Sequence, residues 1–318
     1  MAEKQQKETR DLYQEVTDKI VAALEGGTVP WVKPWNPDKA ALASGMPVNA
    51  ATNRPYHGVN VMLLWMQEVA HGYSSSRWMT FKQARDAGGH VRKGEKSTLA
   101  VFFKPLKKQK TDDQGQPVTD GDGEPVMTTI PILREFKVFN VDQIEDLPDR
   151  VRFGPAVEGT EESDFEPIEA AEAVIEDSGA TIKFGGAEAF YTPQFDIIQM
   201  PPRESFKEEA GYYTTALHEL THWTGHESRL AREGIVQGGG FGSERYAFEE
   251  LVAELGSAFL CAELGIQGDL RHEGYIASWL KVLKGDKKAI FKASTQARKA
   301  AAFLRPQGEA AYRFQESG

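Results

Sequence analysis

Cysteine is nearly missing: Cys261 is the only one in 318 residues. A single thiol excludes an internal disulfide and a cysteine cage for zinc, so any metal bound here must use histidine and carboxylates. Long apolar runs are missing too. The most apolar stretch, Leu251 to Ile266, is broken by Glu254 and Glu263, and the opening MAEKQQKETR has no apolar core behind it. Neither a membrane span nor a signal peptide is therefore expected, and the protein reads as cytoplasmic and soluble, with no membrane partner. Glycine (30) and proline (16) are not in excess, and 40% of residues are apolar against 26% charged. Collagenous and wholly disordered readings are excluded, and the length allows two domains.

The net charge of −10 hides an asymmetry. Residues 1–110 hold 17 Lys and Arg against 10 Asp and Glu, whereas residues 111–318 hold 20 against 37. The halves thus carry +7 and −17, and the first is basic enough to meet a polyanion although the whole chain is acidic.

Leu12, Val16, Ile20 and Leu24 fall four apart before Gly26-Gly27, which predicts an amphipathic helix over 11–25 with a glycine terminus. A second helix is expected near Val59 to Ala70. A strand from Leu99 to Phe103 and its return, Arg134 to Asn140, flank the turn-rich TDDQGQPVTDGDGEP, so residues 111–125 read as a mobile hairpin tip. The acidic stretch with Gly154, Pro155, Gly159 and Pro167 marks a linker over 148–167. The fold class expected is α+β in two domains, 1–147 and 168–318. The second reads as a helix from Ile168, strands at Thr181 to Phe184, Ala189 to Thr192 and Phe195 to Met200, then helices near Ser205 to Gly225, Tyr246 to Leu264, Glu273 to Lys284 and Lys287 to Leu304. No internal repeat is expected. A fragment ending near 147 is expected to fold alone, and metal removal to destabilise only the second domain.

His218-Glu219-Leu220-Thr221-His222 is an H-E-x-x-H motif inside a segment of helical apolar spacing. Residues four apart share a helix face, so both imidazoles can reach one Zn2+, while Glu219 lies beside the open coordination position as a candidate catalytic base. A third ligand is expected from the helix containing EELVAELGSAF. Glu250 is assigned to the metal and Glu254 to a supporting hydrogen bond on a ligand histidine. Glu249 points about 100° away. Ala253, Gly256 and Ser257 are small enough to let the two helices approach. His226 follows His222 by four, but lies too far along the axis to share the ion, and a pocket or capping role is expected. Tyr212, Tyr213 and Tyr246 are candidates to hydrogen-bond a developing oxyanion or to pack on a helix face.

In the basic half, aromatic rings interleave with cations: Trp31, Trp35, Tyr56, Trp65, Trp78, Phe81, Phe102 and Phe103 among Lys33, Arg54, Arg77, Lys82, Arg85, Arg92, Lys93, Lys96, Lys104, Lys107 and Lys108. Single-stranded DNA binders use this pairing, with bases stacked on rings and phosphates met by cations. Trp31, Lys33, Trp35, Arg54, Tyr56, Arg77, Trp78, Lys82, Arg85, Arg92, Lys93 and Lys96 are the candidate DNA contacts, although any one ring could instead be core. The segment GHVRKGEKS misses a nucleotide-binding loop by one residue, since Glu95 separates Gly94 from Lys96. A tight basic turn is the better reading.

The stretches NAATNRPYHGVNVMLLW, RWMTFKQARDAGGHVRKGEKSTLAVFF, FYTPQFDIIQMPPRESF, TTALHELTHWTGHESRL and YAFEELVAELGSAFL together resemble the ArdC antirestriction family. The likeness spans both halves in order, except the hairpin tip and linker. It implies an N-terminal single-stranded-DNA-binding domain joined to a zincin-like metallopeptidase domain, in plasmid-borne proteins that protect DNA entering by conjugation from restriction. In such peptidases the strand before the H-E-x-x-H helix borders the cleft, which here is Phe195 to Met200. The alternative is a regulatory zinc metalloprotease that cuts a host protein or peptide, with DNA only localising it.

Overall fold

Leu12–Glu25 forms helix α1, opened by Asp11, whose carboxylate accepts from the N–H groups of Tyr13 and Gln14. Val16, Ile20 and Leu24 are all buried, as their spacing requires. The structure, a computed structural model, describes residues 10–32, 45–154, 167–240, 242–267 and 274–305.

The first domain is built on strands β1 (Val48–Asn49) and β2 (Arg77–Thr80), the small strand β3 (His90–Val91), and the long strands β4 (Thr98–Gln109) and β5 (Met127–Asn140). Four of these make one sheet in the order β1-β2-β5-β4, with β1 parallel to β2 and the other pairings antiparallel. Strand β3 pairs instead with β6 (Ile144–Glu145). Helix α2 (Val59–His71) packs on β4, and α3 (Phe81–Asp86) starts at Thr80 in a capping box with Gln83. A short helix α4 (Asp149–Arg152) lies at the start of the expected linker. Residues 155–166 of that linker lie outside the described residues.

Two expectations need correction here. Strand β4 does not end at Phe103 but runs through KPLKKQ, and its ladder with β5 continues from Thr98↔Val138 to Gln109↔Met127. Pro105 faces Pro131. Opposed residues of an antiparallel ladder alternate between bonded and non-bonded pairs, so two prolines are tolerated when they face each other in a non-bonded pair.

The tip beyond this ladder is also a tandem repeat, TDDQGQPV then TDGDGEPV. Asp112 accepts from the N–H groups of Gln114 and Gln116, and Asp120 does the same from Asp122 and Glu124. Gly115 and Gly123, both with φ near +80°, close the two turns.

The second domain has helix α5 (Pro167–Ser178) and a three-stranded sheet of β7 (Thr181–Phe184), β8 (Phe190–Thr192) and β9 (Ile197–Met200) in the order β7-β9-β8. Helices α6 (Glu209–Trp223), α7 (Glu233–Val236), α8 (Glu244–Leu264), α9 (Ile276–Gly285) and α10 (Ala289–Leu304) follow. Helix α6 starts later than expected because Arg203–Ser205 makes a separate turn and Phe206 is extended.

The chain is thus α+β in two domains; the first has two small buried clusters of its own, one around Met79 and Ile144 and one around Trp78 and Val138, but the main core runs through both. One buried cluster includes Val16, Ile20, Leu24, Trp31 and Val61 together with Leu251, Trp279, Leu283, Ile290 and Ala301. Trp31 meets Trp279 edge-on, with ring centroids 5.3 Å apart. The Thr17 hydroxyl donates to the Lys287 carbonyl at 2.8 Å, and Lys287 and Lys284 pair with Asp11 and Glu25. This packing argues against a first domain that folds alone: α1 sets its apolar stripe on helices from the far end of the chain.

Candidate metal centre

Helix α6 presents His218 and His222 one turn apart, with ring centroids 4.8 Å apart. Helix α8 lies against it. Gly256 makes the approach possible, since a Cβ there would stand 2.5 Å from Thr221 Cγ2, and the Ser257 hydroxyl donates to the Thr214 carbonyl at 2.9 Å. This contact sets Glu250 opposite both imidazoles: His218 Nε2 lies 3.6 Å from Oε2 and His222 Nε2 3.5 Å from Oε1. His218, His222 and Glu250 each offer an atom within 4.8 Å of the others.

Two ligands about 2.0–2.1 Å from one tetrahedral ion are roughly 3.4 Å apart, so the spacing fits a divalent cation at the common focus. Orientation fits as well. Each Nδ1 faces away from Glu250 toward another carboxylate, His218 toward Glu254 at 3.4 Å and His222 toward Glu249 at 3.3 Å. Carboxylates in these positions orient the rings and leave each Nε2 facing Glu250.

The structure sets Glu254 beside His218, where it was expected, and brings Glu249, expected to point away, against His222. Glu249 is 4% exposed and forms an ion pair with Arg232, itself 5% exposed. Arg232 also donates to the Thr221 and His222 carbonyls and to the Thr224 hydroxyl, capping the end of α6. It anchors the ligand helix and neutralises the carboxylate behind His222 in one contact. Sequence reasoning missed it because Arg232 lies in a loop whose return to α6 leaves no periodic trace.

Burial and charge act against each other throughout the site. Burial lowers the His222 pKa, but hydrogen bonds to Glu249 and Glu250 outweigh it and push the value up to about 10. His218 is raised against burial by a hydrogen bond with Glu250 and by the charge of Glu254. For Glu250, burial favours the neutral acid, yet the two imidazoles hold its carboxyl well below the usual range. Glu219 differs: burial raises its pKa, and the charges of His218 and His222 only partly oppose this. A buried carboxyl that holds a proton more firmly than usual suits proton transfer near neutral pH.

The centre opens into a cleft of about 890 Å³ walled by Phe190 and Tyr191 of β8, by Phe206 to Glu208, and by Tyr246 and Tyr275. Here β9 does not border the cleft as expected. It is paired on both sides, so the edges are β7 and β8, and β8 is the edge that lines the cleft, with its Tyr191 N–H reaching the Glu219 carboxylate. Tyr246 faces the cleft, its hydroxyl 3.3 Å from that of Tyr275. Tyr212 and Tyr213 are buried, the latter donating to Glu172, which removes them as oxyanion partners. His226 bonds Ser228 and shapes the turn after α6.

The candidate DNA contacts divide sharply. Trp31 and Trp78 are 1% and 0% exposed and Tyr56 8%, so these rings are core and not stacking platforms. Trp78 donates to Glu68, and the Tyr56 hydroxyl accepts from Asn49. Arg77 is structural too, bonding the carbonyls of Ala50 and Val151 and the side chain of Asn53. Arg54, Lys82, Arg85, Arg92, Lys93 and Lys96 are exposed, with Lys82 paired to Asp86 and Arg92 to Glu95. Lys33 and Trp35 lie outside the described residues. Among the described aromatic residues of this region, Phe81, Phe102 and Phe103 remain exposed.

Paired histidines on one helix, a glutamate on the helix packed against it and a mixed sheet whose edge strand flanks the cleft define a zincin-like metallopeptidase domain, and residues 169–296 match the family model of that description. Residues 10–139 match the N-terminal domain of the anti-restriction factor ArdC. The crystal structure of the antirestriction ArdC protein from plasmid R388 in metal-free form superposes with a TM-score of 0.74 at 41% identity, covering 93% of this chain and 97% of that one. Its Mn(II)-bound form gives 0.70 at 39%. An uncharacterized protein y4eC of Sinorhizobium fredii is 36% identical over 97% of this chain and 96% of its own. This chain belongs to the ArdC-like antirestriction family. It is also 41% and 40% identical to two Escherichia coli proteins called DNA primase TraC, but spans only 27% and 19% of their lengths.

Among the described residues no helix is long and apolar enough to cross a membrane.

Proposed function

We propose that this protein binds single-stranded DNA through its basic first domain and protects incoming plasmid DNA from restriction in the cytoplasm, with a divalent cation, zinc by its donor set, at His218, His222 and Glu250. The observation that carries this reading is the match along nearly the whole length to an antirestriction structure. The +7 charge of residues 1–110 adds to it.

A second reading, hydrolysis of a protein or peptide, is favoured by the cleft itself. When bound, a divalent cation supplies Lewis acidity to a carbonyl or a water. Glu219 would take a proton on its carboxylate and return it to a leaving amine, the free edge of β8 would align an extended peptide, and Tyr246 with Tyr275 would offer hydroxyl donors.

A restriction-protection assay separates the two. Wild type is compared with Glu219→Ala and with a variant neutralised at Lys93, Lys96 and Arg85. Protection lost only with the basic residues supports DNA coating; protection lost with Glu219→Ala, while single-strand binding persists, supports proteolysis.

A further inference from the structure

The ribbon of β4 and β5 leaves the body of the protein. Strand β2 pairs with β5 only at Val138–Asn140, so beyond that point the ribbon has two strands and, among the described residues, no third. Its charge is divided in an unusual way. The shaft, residues 102–110 and 127–134, carries Lys104, Lys107, Lys108, Lys110 and Arg134 and no acid; the repeat at its tip, residues 111–126, carries five acids and no base.

The two faces of the shaft differ as well. Opposed residues share a face, so Phe103 goes with Leu133, and Phe102 with Arg134. The Phe103 face is anchored at its root, since Leu133 is buried and Phe103 stands 6.4 Å from Tyr13 of α1. The Phe102 face is open. There the cross-strand pairs are Phe102 with Arg134, Lys104 with Ile132, Leu106 with Ile130 and Lys108 with Thr128. Phe102 and Leu106 are 44% and 46% exposed. At its root, Phe102 meets Phe136 at 5.8 Å, and Phe136 stacks on Tyr56 at 6.4 Å.

We propose that the Phe102 face of this ribbon is a track for single-stranded DNA, with bases on Phe102 and the apolar residues beyond it, phosphates on Lys104, Lys108 and Arg134, and the acidic tip as its end stop. The inference rests on the single-strand reading of the first domain. A purely apolar face would suit another protein, but on β4 cations here alternate with apolar side chains, Phe102, Lys104, Leu106 and Lys108, beside Arg134, Ile132 and Ile130 of β5, which matches a ligand with π-faces and negative charge in regular repeat. Strand addition at the root of β4 is blocked, because the Asn60 side chain already donates to the Val101 carbonyl and accepts from its N–H, both at 2.8 Å. The tip repels phosphate, so a strand on the shaft runs toward the body.

The test uses the full chain and a fluorescent oligothymidylate, with binding measured by anisotropy across a salt series. The variant Lys104→Ala/Lys108→Ala/Arg134→Ala should bind roughly 10–100-fold more weakly and lower the slope of log K against log salt by about 2, near 0.7 for each phosphate no longer neutralised. Phe102→Ala should weaken binding about 10-fold with the slope unchanged. Asp113→Asn/Asp122→Asn/Glu124→Gln, which spares the carboxylates of Asp112 and Asp120 that hold the turns, should tighten binding; a folding defect would not do so. If wild type binds and the triple variant matches it in affinity and slope, the track is elsewhere and the single-strand reading survives. If wild type does not bind, that reading fails and the track with it. If the triple variant instead abolishes self-association in sedimentation while binding is unchanged, the shaft meets the acidic tip of a second copy and the proposal is overturned.

Discussion

Gly256→Ala probes whether the closeness of α6 and α8 creates the metal centre. The added methyl would sit 2.5 Å from Thr221 Cγ2, 2.7 Å from its hydroxyl and 3.2 Å from its Cβ. Thr221 is fully buried, and its hydroxyl is held by the Leu217 carbonyl. Relief therefore requires the helices to separate by about 1 Å, and overpacking of this kind costs about 1–3 kcal/mol. For a chain of this size that is several degrees in melting temperature. The donors divide between the same helices at 3.5 and 3.6 Å, and metal–ligand bonds tolerate only about 0.2 Å. Metal affinity should fall at least ~10-fold, beyond the loss of stability measured in chelator. Thr221→Ala removes two of the three clashing atoms, so the double variant should recover both quantities, with a coupling of about 1–3 kcal/mol. Calorimetric metal titration and thermal melting with and without chelator measure the effect. Wild-type affinity and melting in Gly256→Ala, or a double variant no better than the single, would refute the argument.

Other outcomes follow from the same geometry. His218→Ala and Glu250→Ala should each lose stoichiometric metal on dialysis by elemental analysis, whereas Glu249→Gln and Glu254→Gln should weaken it by about 10–100-fold. Arg232→Met leaves Glu249 buried without its cation and should destabilise the protein by about 3–5 kcal/mol in urea, with Glu249→Leu restoring part of the loss. Burial, and then the charges of Arg298 and Arg305, depress the His57 pKa from 6.5 to about 4. Between those values the unfolded chain binds a proton that the folded chain does not, so stability falls as pH drops through 6.5 toward 4. The full shift corresponds to about 3 kcal/mol, which partial exposure reduces to about 1–2. His57→Asn should flatten the pH dependence of urea unfolding by that amount relative to wild type, both measured in chelator.

What could be read in advance follows from periodicity. His218, His222, Glu250 and Glu254 are tied by a four-residue spacing that only a helix turns into one face, so this candidate cluster could be picked out from the sequence, and the structure brings its members together. Glu249 breaks that rule because it need not share the face of Glu250 to reach the back of His222; Arg232, from the loop that follows α6, completes its environment. The aromatic signal misled for a different reason. Interleaving in sequence does not distinguish a ring that faces solvent from one that faces the core, and Trp31 and Trp78 proved to be core. The ribbon was half read, since lysines and prolines have low strand propensity and a two-stranded arm exposes both faces, which erases hydrophobic alternation. Its octapeptide repeat was plain in the letters but too short to read as an architecture.

The shared core changes what metal removal should do. Cutting the chain near 147 would strip Val16, Ile20, Leu24 and Trp31 of their partners on α9 and α10. Each such side chain is worth about 1.5–3 kcal/mol when fully buried, and four of them match most of the stability of a typical domain. The fragment should therefore be unfolded or aggregated, and the two domains should unfold together. Helix α8, which carries Glu250, packs on both α9 and α10, and α9 in turn holds α1. A cation bound preferentially by the folded form stabilises that whole unit by mass action. Chelation should then lower one cooperative calorimetric transition that includes the tryptophan fluorescence of Trp78 in the first domain, and should weaken single-strand binding at temperatures near that transition. Two resolved transitions, with only the upper or only the lower one sensitive to chelator, would mean that the Trp31–Trp279 contact does not couple the domains.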